Sequence, residues 1–128
     1  MNRDWAAHRI GEGYIVLGNY LTGPRAPDAM EKAFAADPAE DLEERLMRSV
    51  EAGRDAGGQH GGQRSAALPV YDTKPFVRVD LRVDVHDEPV GDLRRVFDVY
   101  RPAIPYYDLR QVDARVPPLD ERLRQRAR

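Results

Sequence analysis

Val77, Val79, Leu81, Val83 and Val85 alternate with Arg78, Asp80, Arg82 and Asp84, the two-residue period of a half-buried strand. Valines dominate the apolar side, where stiff β-branched side chains suit a pleated surface. Val90, Leu93, Val96, Phe97 and Tyr100 then recur at helical spacing, with Asp92, Arg94, Arg95 and Asp98 opposite. His86 to Pro89 turns the chain between them, with Asp87 or Glu88 as N-cap and Pro89 in the first helical turn. The segment from Phe76 to Tyr100 thus reads as a strand running into an amphipathic helix, which Pro102 stops.

Upstream, Tyr14-Ile15-Val16-Leu17 reads as a buried strand. Gly18-Asn19 interrupts it and Tyr20-Leu21 resumes it, which predicts a bulge or a close backbone approach. A helix opens near Pro27, carries Met30, Ala33 and Phe34, and breaks at Asp37-Pro38. A second presents Leu42, Leu46 and Val50 against Glu43, Glu44, Arg45 and Arg48, and ends at Gly57-Gly58. The stretch from Gly57 to Gln63 is a glycine-rich loop, and Ser65 to Tyr71 a short strand. The tail, with Pro105, Pro117 and Pro118, is predicted to be extended and turn-rich, with a short helix from Leu119. Three helices and three strands make an α+β domain over residues 1–101, followed by a Pro/Arg-rich extension over 102–128. So small an antiparallel sheet leaves an edge that needs covering.

Composition narrows the function classes. The 128 residues suit one core, and 33% charged with 41% hydrophobic residues is a globular balance. A net charge of −2 gives no electrostatic reason to expect nucleic acid or anionic lipid as a partner. The absence of cysteine excludes disulfides, thiolate metal sites and a cysteine nucleophile. With neither a signal-like apolar run at the start nor a span-length stretch elsewhere, a cytoplasmic protein without membrane contact is expected.

Candidate chemistry is sparse. Gly11-Glu12-Gly13 lacks the later glycine and the Lys-Ser/Thr ending of a phosphate loop and reads as a tight turn. The loop at 57–63 reads as an anion cradle or a flexible connector. His8, His60 and His86 show no paired zinc spacing, and no metal or cofactor is expected. Strand alternation places Asp80, Arg82, Asp84 and His86 on one face. Asp84 then lies about 7 Å from His86 between Cα atoms, near enough for a bridging water or metal. The competing reading is a solvated row of paired charges. Asn19 is either a bulge residue or an amide donor to a ligand oxyanion. Ser49 and Ser65 have no adjacent base in a recognisable motif, and Tyr100, Tyr106 and Tyr107 are packing or interface residues.

Several short stretches occur together and in order: Asp4-Trp5-Ala6, Gly11-Glu12-Gly13-Tyr14, Gly18-Asn19 with Leu21 to Pro24, Gly57-Gly58, Ser65-Ala66-Ala67-Leu68, and Val79-Asp80-Leu81-Arg82-Val83-Asp84. In this the chain resembles the later half of the prokaryotic family called domain of unknown function 1028, from residue 4 to the end of the predicted helix at Tyr100. The resemblance implies a fold similar to N-terminal-nucleophile hydrolases, a four-layer αββα sandwich. In that class a Thr, Ser or Cys at the mature N-terminus attacks an amide, with its own α-amino group as base. The segment with any such nucleophile precedes the part matched here, and the chain opens Met1-Asn2. A fragment, a truncated gene product or half of a two-chain assembly is therefore expected. Gln59, Gly61 and Arg64 depart from the family's loop pattern, and Asp84-Val85-His86 stands where the family usually has Asp-Asp-His.

The resulting expectation is an amide-hydrolase-like half that lacks its own nucleophile, in need of a separate N-terminal half. Asn19, Asp84 and His86 are the candidate catalytic-site residues, and Asp80, Arg82 and Ser65 the candidate binding residues. The alternatives are a non-catalytic homo-oligomerising module using an open sheet edge, and a small-anion or metal binder using Asp80, Asp84 and His86. A sandwich covers both faces of its sheets, so Arg78, Asp80, Arg82 and Asp84 would be paired with each other in a cleft or interface.

Overall fold

Glu12 and Gly13 form a two-residue turn, Gly13 taking the left-handed φ of 77° that such a turn requires. It joins β1 (Ala7–Gly11) to β2 (Tyr14–Gly18) as an antiparallel hairpin, with Gly11 paired to Tyr14 and Ala7 to Gly18. The chain then forms α1 (Arg25–Ala35), α2 (Leu42–Asp55), β3 (Ala66–Tyr71), β4 (Val77–Val83) and α3 (Pro89–Tyr100). A 3-10 turn (Arg101–Ala103) leads into α4 (Ile104–Arg110). This is a computed structural model that describes residues 5–121. Among the described residues it is a mixed α/β molecule with these four helices and two separate two-stranded antiparallel sheets, β1–β2 and β3–β4.

The core gathers where the periodic segments meet. Val79, Leu81 and Val83 of β4 and Leu68 and Val70 of β3 face Val90, Leu93 and Phe97 of α3, with Met47 of α2 and Ile104 of α4. Leu42, Leu46 and Val50 pack at its margin, as their spacing predicts. α1 crosses α2 where Gly53 leaves room for Met30; a Cβ there would lie 2.8 Å from the Met30 sulfur. Phe34 joins α1 to the hairpin through Tyr14, ring centroids 4.8 Å apart. Ser49, buried in this contact, donates to the Met30 carbonyl.

Glu43 and Glu44, expected on the polar face of α2, are buried. They are stable there because arginines from other elements reach them. Arg78 of β4 binds Glu43 at 2.9 Å and Asp108 of α4 at 2.8 Å. Arg94 of α3 forks onto both Glu44 and Glu51, and Arg101 adds contacts to Glu44 and Glu40. The helices are thus tied to one another by desolvated, bidentate pairs.

Further expectations are corrected. A fourth strand was missing from the count: β1 is concealed because Ile10 points to solvent, 71% exposed, and its sequence does not alternate. The three strands expected in one sheet are four strands in two sheets. β2 ends at Gly18, Tyr20 takes a left-handed φ of 53°, and Leu21 then resumes backbone contact as expected, its N–H bonding the Trp5 carbonyl at 3.1 Å beside a bridge to Gln59. Residues 104–110 are helical rather than extended, since Pro105 sits in the first turn, where a missing N–H costs nothing. Residues 119–121 are helical, and the remainder of the helix expected from Leu119 lies outside the described residues, as do Met1-Asn2 and Asp4. No helix among the described residues is long and apolar enough to cross a membrane.

Candidate functional site

The two sheets approach each other along β2 and β3, and no strand pairs with either of these facing edges among the described residues. Between them runs a cleft of about 370 Å³, walled by Tyr14 to Leu17 on one side and Ala67 to Pro69 on the other. Its floor is apolar, built from Phe34 of α1 and Leu46 and Val50 of α2. At one end the cleft continues past Ile15, Pro69 and Tyr71. At the other it widens into a groove of about 640 Å³.

That groove is the candidate site. Asn19 and Gln59 form one wall, and Arg82 and Asp84 the other, with Ser65 and Ala67 between. The strand register creates the hollow: Arg82 pairs with Ala67, whose methyl group leaves open the space a longer side chain would fill. Gln59 is fixed by its backbone bridge to Leu21. Its side-chain N–H₂ donates to the Asn19 backbone carbonyl at 2.9 Å and to Asn19 Oδ1 at 3.0 Å. The Asn19 amide N–H₂ and the Gln59 side-chain carbonyl are left without partners among the described residues. The groove therefore presents a donor and an acceptor side by side, facing a cation and an anion.

Asn19, Ser65, Arg82 and Asp84 are thus brought together. Asp80 and His86 are not. Asp80 is exposed, two residues along β4 from Arg82 and outside the groove lining. His86 does not extend the charged row, because β4 loses its partner once Ala66, the first residue of β3, has paired with Val83. Val85 is accordingly 85% exposed, against the alternation. His86 instead closes the turn into α3: its Nδ1 accepts the Glu88 N–H at 2.8 Å, and its own N–H donates to the Arg64 carbonyl. No three His, Asp or Glu side chains gather as a metal-binding set among the described residues, so Asp80, Asp84 and His86 do not form one.

The expected mutual pairing of Arg78, Asp80, Arg82 and Asp84 is also corrected. Arg78 is drawn toward Glu43 and Asp108, while Asp80, Arg82 and Asp84 are exposed and unpaired among the described residues. Side chains spaced along one strand face make weaker partners than buried carboxylates that have no other cation. Gln59 is the groove residue that spacing conceals, since its place follows from the Leu21 bridge. Tyr14, at the cleft wall, donates to Glu31, and that bond followed by burial raises its phenol above the ordinary range. Tyr100 and Tyr107 stack at 5.6 Å as packing residues.

Comparison with known proteins adds lineage. The Family of unknown function (DUF1028) matches residues 1–93. The crystal structure of protein SPO2555 from Silicibacter pomeroyi, of the same family, aligns with a TM-score of 0.64 at 31% identity. The alignment covers 77% of this chain and 42% of that one, so the chain spans less than half the length of that relative. No curated protein matches.

Proposed function

Because this chain belongs to the DUF1028 family, we propose that it is the later half of an N-terminal-nucleophile-hydrolase-like αββα sandwich, completed by a polypeptide that carries the nucleophile. The cleft between β2 and β3 carries this reading. Two strand edges, unpaired among the described residues, face each other over an apolar floor of Phe34, Leu46 and Val50. An extended segment laid there would satisfy both edges and cover that floor. The groove at its end then becomes one wall of a site. A Thr, Ser or Cys of the incoming half attacks an amide carbonyl while its α-amino group takes the proton. Asn19, with its amide N–H₂ unengaged, donates to the developing oxyanion. His86 has no part in this chemistry, being committed to the turn before α3.

The experiment is reconstitution. Mixing this chain with the part of SPO2555 that it does not cover should give a one-to-one complex in sedimentation, and turnover on a panel of simple amides. A chain that neither binds that part nor acquires turnover with it overturns the reading.

A second reading draws on a different observation. Ile10, Ile15 and Leu17 of the hairpin are 71%, 65% and 70% exposed, and Tyr71 of β3 is 66% exposed. Adjacent apolar side chains of this size suit an interface between copies of the chain. That reading needs no enzyme activity, and it is tested by the association state of the chain alone.

A further inference from the structure

Arg82 and Asp84, like Arg25 and Asp80, make no ion pair among the described residues, but these two share one groove. Arg78, Arg94 and Arg101 are each held by two or more carboxylates. Among the described residues neither Arg82 nor Asp84 makes an ion pair or a side-chain hydrogen bond, yet both line the groove. Arg82 lies in β4 and Asp84 at the bend just after its last residue, Val83, so their Cα atoms are at most about 7 Å apart. A ligand that meets both carries an anion for the guanidinium and a cation for the carboxylate. An extended dipeptide spans about 7 Å from its ammonium end to its carboxylate end. A single amino acid holds its charges much closer together.

The opposite wall supplies what the middle of such a ligand needs. A peptide bond has one donor and one acceptor. The Asn19 N–H₂ and the Gln59 side-chain carbonyl are one donor and one acceptor, held in register by the two hydrogen bonds from Gln59 Nε2 to Asn19. Ala67 leaves the floor low enough for a backbone to lie over it, and a groove of about 640 Å³ has ample room for a dipeptide. We propose that this groove binds a short zwitterionic peptide, its carboxylate on Arg82, its ammonium on Asp84 and its amide on the Asn19–Gln59 pair. The assignment rests on the reading of the groove as a site, and it holds whether or not a second half completes the chain.

The test is titration of the isotope-labelled chain with glycylglycine, followed by nuclear magnetic resonance. Saturable shifts are expected at the Asn19 and Gln59 side-chain N–H₂ groups and at the Ala67 amide. Arg82→Gln and Asp84→Asn should each weaken binding about tenfold, and added salt should weaken it further. Exchanging the charges, Arg82→Asp with Asp84→Arg, should restore affinity to within about threefold, because the peptide reverses its direction. These side chains are exposed, so the dispersion of the core resonances should stay unchanged in every variant. Absence of groove shifts with glycylglycine, or equal shifts with the uncharged N-acetylglycinamide, overturns the assignment. Binding of glycylglycine without association with the SPO2555 portion would sink the half-sandwich reading alone. Association with turnover but no glycylglycine shifts would sink this one alone.

Discussion

Glu44 shows how much of this molecule depends on a single carboxylate. Burial raises its pKa, but hydrogen bonds from Arg94 and Arg48 outweigh that and hold it below the usual carboxylate range. The same contacts, Glu51 first, hold Arg94 firmly protonated. A carboxylate depressed in the folded state stabilises the fold above its unfolded pKa, about 4.3 for Glu, and loses that contribution as pH falls through its folded value. The urea midpoint should therefore drop as pH is lowered from about 5 toward 3. Glu44→Gln should flatten that dependence and cost about 3 kcal/mol at neutral pH, because three arginines lose their shared partner. Equal pH profiles for the two proteins would contradict this. Helical spacing assigns Glu43 and Glu44 to the solvent face because it counts charge only along one helix. Their partners, Arg78 and Arg94, come from other elements, and only the folded arrangement puts them within reach.

Among the elements, β4 and α3 hold the structure's centre, and Phe97, with no exposed surface, is its largest wholly buried side chain. Phe97→Ala should cost about 4 kcal/mol in urea denaturation, whereas Val99→Ala, at a position 74% exposed, should change stability by less than about 0.5 kcal/mol. Comparable losses from both would show that α3 does not pack as described. The elements with a clean period or an apolar run were legible from sequence: β2, β3, β4, α1, α2 and α3. Those with neither were not. β1 presents Ile10 to solvent, and α4 has Pro102 just before it and Pro105 in its first turn, prolines that signal a stop as readily as a start. The end of β4 was hidden for a related reason. Alternation runs on to Val85, but a strand lasts only as long as its neighbour, and β3 has no residue to set against Asp84. That one shortfall removes His86 from the groove and leaves Arg82 and Asp84 at its lip.

At the scale of the whole molecule, the open cleft and the exposed apolar hairpin are where the proposed interface would lie. Leu17 borders both the cleft and the groove while remaining 70% exposed. Leu17→Lys should leave the urea midpoint within about 0.5 kcal/mol of the parent. It should nevertheless abolish self-association or capture of a second half, whichever sedimentation detects in the parent. Unchanged association would move the interface elsewhere. An uncovered edge is legible in the sequence as a shortage of strands. Its division into two facing edges is not, since that depends on how α1 and α2 hold the hairpin beside β3.

An unprotected pair of edges invites indiscriminate strand addition, and β3 carries a built-in obstacle to it. Pro69 lies on the wall of the cleft and within the β3–β4 ladder. Proline has no backbone N–H to offer a further strand. Midway along that edge, a would-be template for aggregation thus lacks a donor. Any sequence that extends the sheet must tolerate the gap, and this favours a partner shaped for it over random neighbours in a crowded cell.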